Sequence, residues 1–205
     1  WGLIAGVRWA DRVGKGIRTA PRDALLADSV APEVRGLAFG FHRAMDTAGA
    51  FIGILIAALV VWLTQKSGIT LERSTFQIIV LASLIPAFLA VLSLLIGVKE
   101  VAVKGQRSKP KFSLRGMGKP FSIFLGIVSL FTLGNSADAF LVLRAQNLGV
   151  SVLGILIMLA VFNLTYTLVS TPAGSLSDRI GRRRLIIGGW LVYAVIYFGF
   201  ALANA

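Results

Sequence analysis

Five stretches of this 205-residue chain, near 37–63, 76–98, 121–143, 151–173 and 185–205, stay apolar over about twenty residues or more. A helix rises about 1.5 Å per residue and a bilayer core is about 30 Å thick, so each stretch is long enough to cross a membrane. Leu, Ile, Val, Ala and Phe occupy all of their faces, which suits lipid or a deep core better than a one-sided surface helix. Composition points the same way. The chain is 56% hydrophobic and 15% charged, whereas soluble domains hold ~45–50% and ~25%. The expected fold is all-α, a polytopic transmembrane helical bundle.

The placement of charge then supplies a topology. Lys and Arg outnumber Asp and Glu by 21 to 9, a net charge of +12. In a soluble protein such an excess suggests a nucleic-acid partner. Here the basic residues fall between the apolar stretches: seven in 1–43, two in 64–75, seven in 99–119, one in 144–150 and four in 174–184. Rich and poor segments alternate, as expected when positive loops stay in the cytoplasm. Nucleic-acid binding would not space charge at membrane intervals, so the expected partner is a lipid bilayer. Residues 28–36, 99–120 and 174–184 are placed on the cytoplasmic side. The segment 99–119, with Gly105, Pro110 and Gly116, is the longest polar connector and reads as the boundary between two helical bundles.

One basic segment carries a pattern. Gly174, Leu176, Asp178, Arg179, Gly181, Arg182 and Arg183 lie in the run GSLSDRIGRRR between two spans. Its glycines suit a tight turn, and Asp178 stands where a carboxylate can accept backbone N–H groups at a helix start. The run resembles the cytoplasmic signature loop of the major facilitator superfamily, G-x-L-x-D-R-x-G-R-R/K. Arg8, Gly14 and Gly16 resemble that family's fourth-span pattern R-x-x-x-G-x-G-x-G, and Pro32-Glu33-Val34-Arg35-Gly36 resembles the P-x-x-R-G of the loop that follows.

The resemblance implies a chain running from span 4 to span 9 of a twelve-span fold with two six-helix halves. Residues 1–98 would end the N-terminal half, 99–120 would be the central cytoplasmic loop, and 121–205 would open the C-terminal half. It implies secondary active transport of a small-molecule substrate by alternating access, in the plasma membrane of a bacterium or archaeon. The motif from Gly174 to Arg183 would be a conformational switch. Two departures stand out. Arg12 replaces the first glycine of the span 4 pattern and Asp11 its usual Gln. Span 5 keeps Gly49 and Gly53 but lacks the proline of the antiporter pattern, which weakens the implication of proton antiport. The glycine pair also suits close helix packing.

The stretch 1–27 is interrupted by charge. At about 100° per residue, Arg8, Asp11, Lys15, Arg18 and Arg22 share one narrow stripe, with Val13, Ile17, Ala20 and Ala24 opposite. Two readings stand: a surface helix in the headgroup region, or span 4 with its stripe facing an aqueous cavity. Intramembrane charge costs at least ~2.5–3.5 kcal/mol per residue at the bilayer centre, so five such residues cannot face lipid. In a cavity the stripe would attract an anionic or zwitterionic substrate, with Asp11 and Asp23 pairing part of it.

Further along, His42, Arg43 and Asp46 lie three and four residues apart on one helix face and could relay protons. Equally, Arg43 could simply neutralise Asp46. Asn135, Asp138, Asn163, Tyr166 and Thr167 are polar groups at membrane depth, suited to a cavity or to joining helices, with Asp138 the better cavity candidate.

Soluble chemistry finds little support. Gly14-Lys15-Gly16 lacks the upstream Gly and the following Ser/Thr of a phosphate loop. One histidine and no cysteine leave no zinc set, and there is no G-x-S-x-G. No cofactor, metal or catalytic residue is expected. The rival to transport is a receptor-like or scaffolding membrane protein on the same fold. Opening at Trp1 and closing at Ala205 inside apolar runs, without a signal peptide, the chain reads as a piece that would need the remaining spans of its full-length chain.

Overall fold

A computed structural model describes residues 2–65, 68–97, 118–134 and 138–202. Seven helices account for nearly all of them: α1 (Gly2–Asp28), α2 (Arg35–Gln65), α3 (Arg73–Gly97), α4 (Gly118–Gly134), α5 (Asp138–Asn147), α6 (Val152–Ile180) and α7 (Arg182–Leu202). A single 3-10 turn, Pro32–Val34, precedes α2. No strand occurs among the described residues. Helix is the solution that satisfies every backbone polar group where water is absent, and Pro21, Pro86 and Pro172 are accommodated inside helices.

Five helical segments are long and apolar enough to cross a membrane: Pro32–Gln65, Arg73–Gly97, Gly118–Asn147, Val152–Ile180 and Arg182–Phe200. They coincide with the five stretches expected from the sequence, with one difference. α4 and α5 are the described parts of the third. The fourth continues to Ile180, because nothing before Gly181 breaks the helical register. α1 is a sixth long helix, too charged to belong to the apolar set. Most of the connector expected at 99–120 lies outside the described residues.

The packed core is one antiparallel pair, α2 against α6. Buried Ala44, Thr47, Ala58 and Val61 mark the inner face of α2, and Ile155, Ala160 and Ser170 that of α6. Gly36 and Gly40 extend the α2 stripe at steps of three or four residues, the spacing that keeps one seam on a partner helix. Small residues suit such a seam, since in lipid helix association depends on close packing and interhelical hydrogen bonds. One such bond crosses at mid-length, where the Thr167 hydroxyl donates to Thr47 Oγ1 at 2.9 Å.

The expected packing glycines, Gly49 and Gly53, play no part in this seam. A Cβ on either would meet nothing within 4 Å, whereas Gly36, Gly40 and Gly174 sit at backbone contact. The pairing α2–α6 selects small residues one helix face away from the pair that sequence spacing suggested.

At the other end of the pair, the Val152 N–H donates to the Gly68 carbonyl at 2.9 Å. There Ser151 caps α6 by accepting from the Gly154 N–H at 3.2 Å. Thr64 and Thr75 join hydroxyls at 2.9 Å, holding the start of α3 to the end of α2. Beyond Ala82 α3 is exposed, with Leu95 at 74% and Ile96 at 77%, an apolar surface that lipid and neighbouring spans would cover. α4 meets α7 through rings: Phe131 stacks on Trp190 at 4.4 Å and meets Tyr193 edge-on at 5.2 Å.

Candidate functional site

The seam between α2 and α6 ends in a polar junction. α2 begins after Pro32–Val34, and its first-turn N–H groups lack a carbonyl one turn back within the helix. Asp178, one turn after Gly174 in α6, supplies the missing acceptors. Its Oδ1 accepts the Gly36 N–H at 2.9 Å and its Oδ2 the Leu37 N–H at 2.8 Å, across 142 and 141 residues of sequence. A carboxylate at a helix N-terminus meets the positive end of the macrodipole, and hydrogen bonds to an ionised acceptor are the stronger kind.

Glycine makes the contact possible. A Cβ on Gly36 would collide with the Ser177 hydroxyl, the Asp178 carboxylate and the Gly174 carbonyl. One on Gly40 would lie 2.5 Å from the Ser170 carbonyl oxygen, and one on Gly174 would strike the Gly36 carbonyl. Two backbones thus touch, and the carboxylate reaches past a residue without a side chain. Gly181 has φ +94°, a conformation that favours glycine. Its N–H returns to the Ser177 carbonyl at 3.1 Å, closing α6 before Arg182 begins α7.

This changes the reading of the motif in one respect. The run from Gly174 to Ile180 is helix, not loop. Only Gly181 serves a turn, and Gly174 serves close approach. The expectation that Asp178 caps a helix start holds, but the helix is α2 rather than its neighbour α7. Arg179, Arg182 and Arg183 are all exposed, and Arg182 lines a cavity of about 920 Å³ beside the junction, together with Arg43 and Tyr166.

The other predicted residues are scattered by comparison. Along α1, Arg8, Asp11, Lys15 and Arg18 are exposed, as are Val13 and Ile17 opposite, and partial cover begins only at Thr19. Arg22 bridges Asp23 at 3.0 Å, but Asp11 forms no ion pair with any described residue, so the expected pairing of the stripe is met by Asp23 alone. In α2, Arg43 Nη1 lies 3.7 Å from Asp46 Oδ2, with the side chains 52% and 54% exposed. No hydrogen bond links His42 to Asp46, so within this chain Arg43, not His42, accompanies the carboxylate.

Asp138 begins α5, and Asn135 lies outside the described residues. Asn163 donates to the Leu159 carbonyl in its own helix at 2.9 Å, whereas Thr167 joins the two helices. Among the described residues no group of three or more His, Asp or Glu side chains could hold a metal ion. Sequence reasoning assigned no role to Gly40 or Thr47. A small-residue step Gly36, Gly40, Ala44 was present in the sequence as the available signal for the first.

Comparison with known proteins agrees with this architecture. The chain is 35% identical over 197 residues to an uncharacterized MFS-type transporter of Methanocaldococcus jannaschii, an alignment covering 93% of this chain and 47% of that protein. It is also 37% identical over 71 residues to uncharacterized proteins of Mycobacterium bovis and Mycobacterium tuberculosis, covering 31% of this chain and 17% of each. The chain thus spans about half the length of the archaeal relative, or less of the mycobacterial ones. No solved structure matches. The Major Facilitator Superfamily matches residues 1–205, and the chain belongs to that family of multi-pass membrane proteins.

Proposed function

We propose that this chain forms the middle of a secondary active transporter, which moves a small solute by alternating access. Asp178 would be the fastening that keeps one end of the transport path shut. α1, α2 and α3 act as spans 4–6 and end the N-terminal half; α4 with α5, α6 and α7 act as spans 7–9 and open the C-terminal half. In such a fold the two halves rock about a site near the bilayer midplane. The observation that carries this reading is the Asp178 carboxylate on the Gly36 and Leu37 N–H groups, which ties residues of the two halves by charge rather than by apolar contact. Rocking in the opposite sense must break it.

The basic residues at this end of the seam support placing 28–36, 99–120 and 174–184 in the cytoplasm, so the fastening closes the inner side. The α1 stripe of Arg8, Asp11, Lys15, Arg18 and Arg22 lines the path in the complete protein and favours an anionic or zwitterionic solute; Asp138 is a further cavity residue. His42, Arg43 and Asp46 are the residues for proton coupling.

Two experiments on the full-length protein test the reading. Reconstituted in liposomes, it moves a solute, and Asp178→Asn alters the rate while leaving the protein inserted; a protein that binds solutes but never moves them is receptor-like instead. Cysteines placed at Lys15 and Arg18 react with aqueous thiol reagents and those at Val13 and Ile17 do not. Equal reactivity on both faces rules out the lined path.

A further inference from the structure

The α2–α6 seam is joined by hydrogen bonds at three levels. At one end Asp178 accepts the Gly36 and Leu37 N–H groups. At the other, the Val152 N–H, an orphan donor at the first position of α6, reaches the Gly68 carbonyl at 2.9 Å. The turn that presents it is built on both sides. Gly149, at φ +78°, and Val150 return their N–H groups to the carbonyls of Gln146 and Ala145 at 2.9 and 3.0 Å, which closes α5, and Ser151 then caps α6. Across from it, the Gln65 amide donates to the Thr70 carbonyl at 3.1 Å, drawing together the connector that holds Gly68. At the middle level Thr167 donates to Thr47, whose own hydroxyl reaches the Arg43 carbonyl at 3.0 Å. Thr47 is 7% exposed, and Ala44 and Ser170 are buried in the same stretch of the seam.

We propose that the Thr47–Thr167 pair is the fixed point of this seam, kept while the Asp178 junction and the Val152–Gly68 contact open in turn. The proposal rests on the reading of α2 and α6 as members of two halves that rock. Spacing along the helix supports it. Thr167 lies about 16 Å of helix from Asp178 and about 22 Å from Val152. A tilt of about 10° about the middle moves the two ends by ~3–4 Å, which takes their bonds beyond hydrogen-bonding reach. The same tilt moves a pair within ~2 Å of the axis by under ~0.5 Å, too little to part it. A hydroxyl also suits a fixed point, because its O–H rotates to follow its acceptor. The donors at both ends are backbone N–H groups, whose directions are set by their helices.

The two ends can be released separately. Asp178→Asn weakens one. Val152→Pro deletes the donor at the other and little else. Proline is favoured at the first helical position, and Ser151, at φ −63° and ψ 158°, already has the backbone that a following proline requires. Spin-label pairs in the full-length protein read three levels: Val34 with Arg183 at the Asp178 end, Met45 with Leu168 at the middle, and Ile69 with Leu148 at the Val152 end, all exposed in this chain. Asp178→Asn lengthens the first distance alone. Val152→Pro lengthens the third alone, the ratio of closed to open at that end falling roughly 2–13-fold, as for the loss of one neutral hydrogen bond. The middle distance keeps its wild-type distribution in both. A middle distance that lengthens with either end means that the seam unzips, and overturns the proposal. Distances unchanged at all three levels in both variants overturn it as well. If Asp178→Asn moves nothing while Val152→Pro opens its own end and spares the middle, Asp178 is not a fastening, and the fixed point stands without it.

Discussion

Asp178→Asn is the sharpest probe of the junction, since it keeps size and shape while removing the charge. The carboxylate accepts two N–H groups, at 2.9 and 2.8 Å. An amide has one oxygen, and its NH₂ would face the second N–H, so one bond is lost and the other becomes neutral. Hydrogen bonds to charged groups contribute about 1.5–3 kcal/mol and neutral ones about 0.5–1.5. The site is only partly buried, so the lower values apply. The change should then weaken the closed junction by about 2–3 kcal/mol, a roughly 30–150-fold shift in the ratio of closed to open. Asp178→Ala, which loses both bonds, should shift it at least as far. Spin labels at Val34 and Arg183, exposed on the two sides of the junction, report the distance in the full-length protein. Both variants should enlarge the long-distance population at the expense of the short one. If both give the wild-type distribution in correctly inserted protein, the carboxylate does not fasten the seam.

Other consequences follow from the same packing. Gly174→Ala and Gly40→Ala, which push a Cβ against backbone, should each destabilise the full-length protein in detergent by about 1–3 kcal/mol, whereas Gly49→Ala should cost under about 0.5 kcal/mol. Similar melting temperatures for all three would show that backbone contact does not limit the seam. A double-mutant cycle of Thr47→Val and Thr167→Val should give a coupling of about 0.6 kcal/mol, typical of hydrogen bonds between helices in lipid, and a coupling of zero would reduce Thr167 to its bond within α6. Cysteines at Ile69 and Arg183 should be labelled from opposite faces of intact cells, because they flank opposite ends of the α2–α6 pair. Labelling from one face would overturn the antiparallel crossing of the membrane.

The helices were legible because each is a local property. A run such as 76–98 declares itself by length and apolarity. What was not legible is which helices touch. The link from Asp178 to Gly36 spans 142 residues, and periodicity within either helix is silent about a partner so distant. Hence the acceptor chemistry of Asp178 could be anticipated while its donors could not. Gly49 and Gly53 show the same limit from the other side. Their spacing permits close packing, but only the partner decides which face is used, and α6 uses the face of Gly36 and Gly40. Residues 174–180 were misread as a loop because charge and glycine suggest one, while a helix that outlasts the membrane core can carry both into water. At 29 residues, α6 reaches about 43 Å against a core of about 30 Å.

That surplus length has a mechanical result. The α2–α6 pair is pinned at both extremities, by an ionised carboxylate at the Asp178 end and by one neutral amide bond, Val152 to Gly68, at the other. A rigid beam held by unequal pins gives way at the weaker one first, and charged bonds exceed neutral ones about twofold. The balance between the two ends of such a beam is therefore sensitive to single residues at its tips, and Asp178→Asn should shift it toward release at that end.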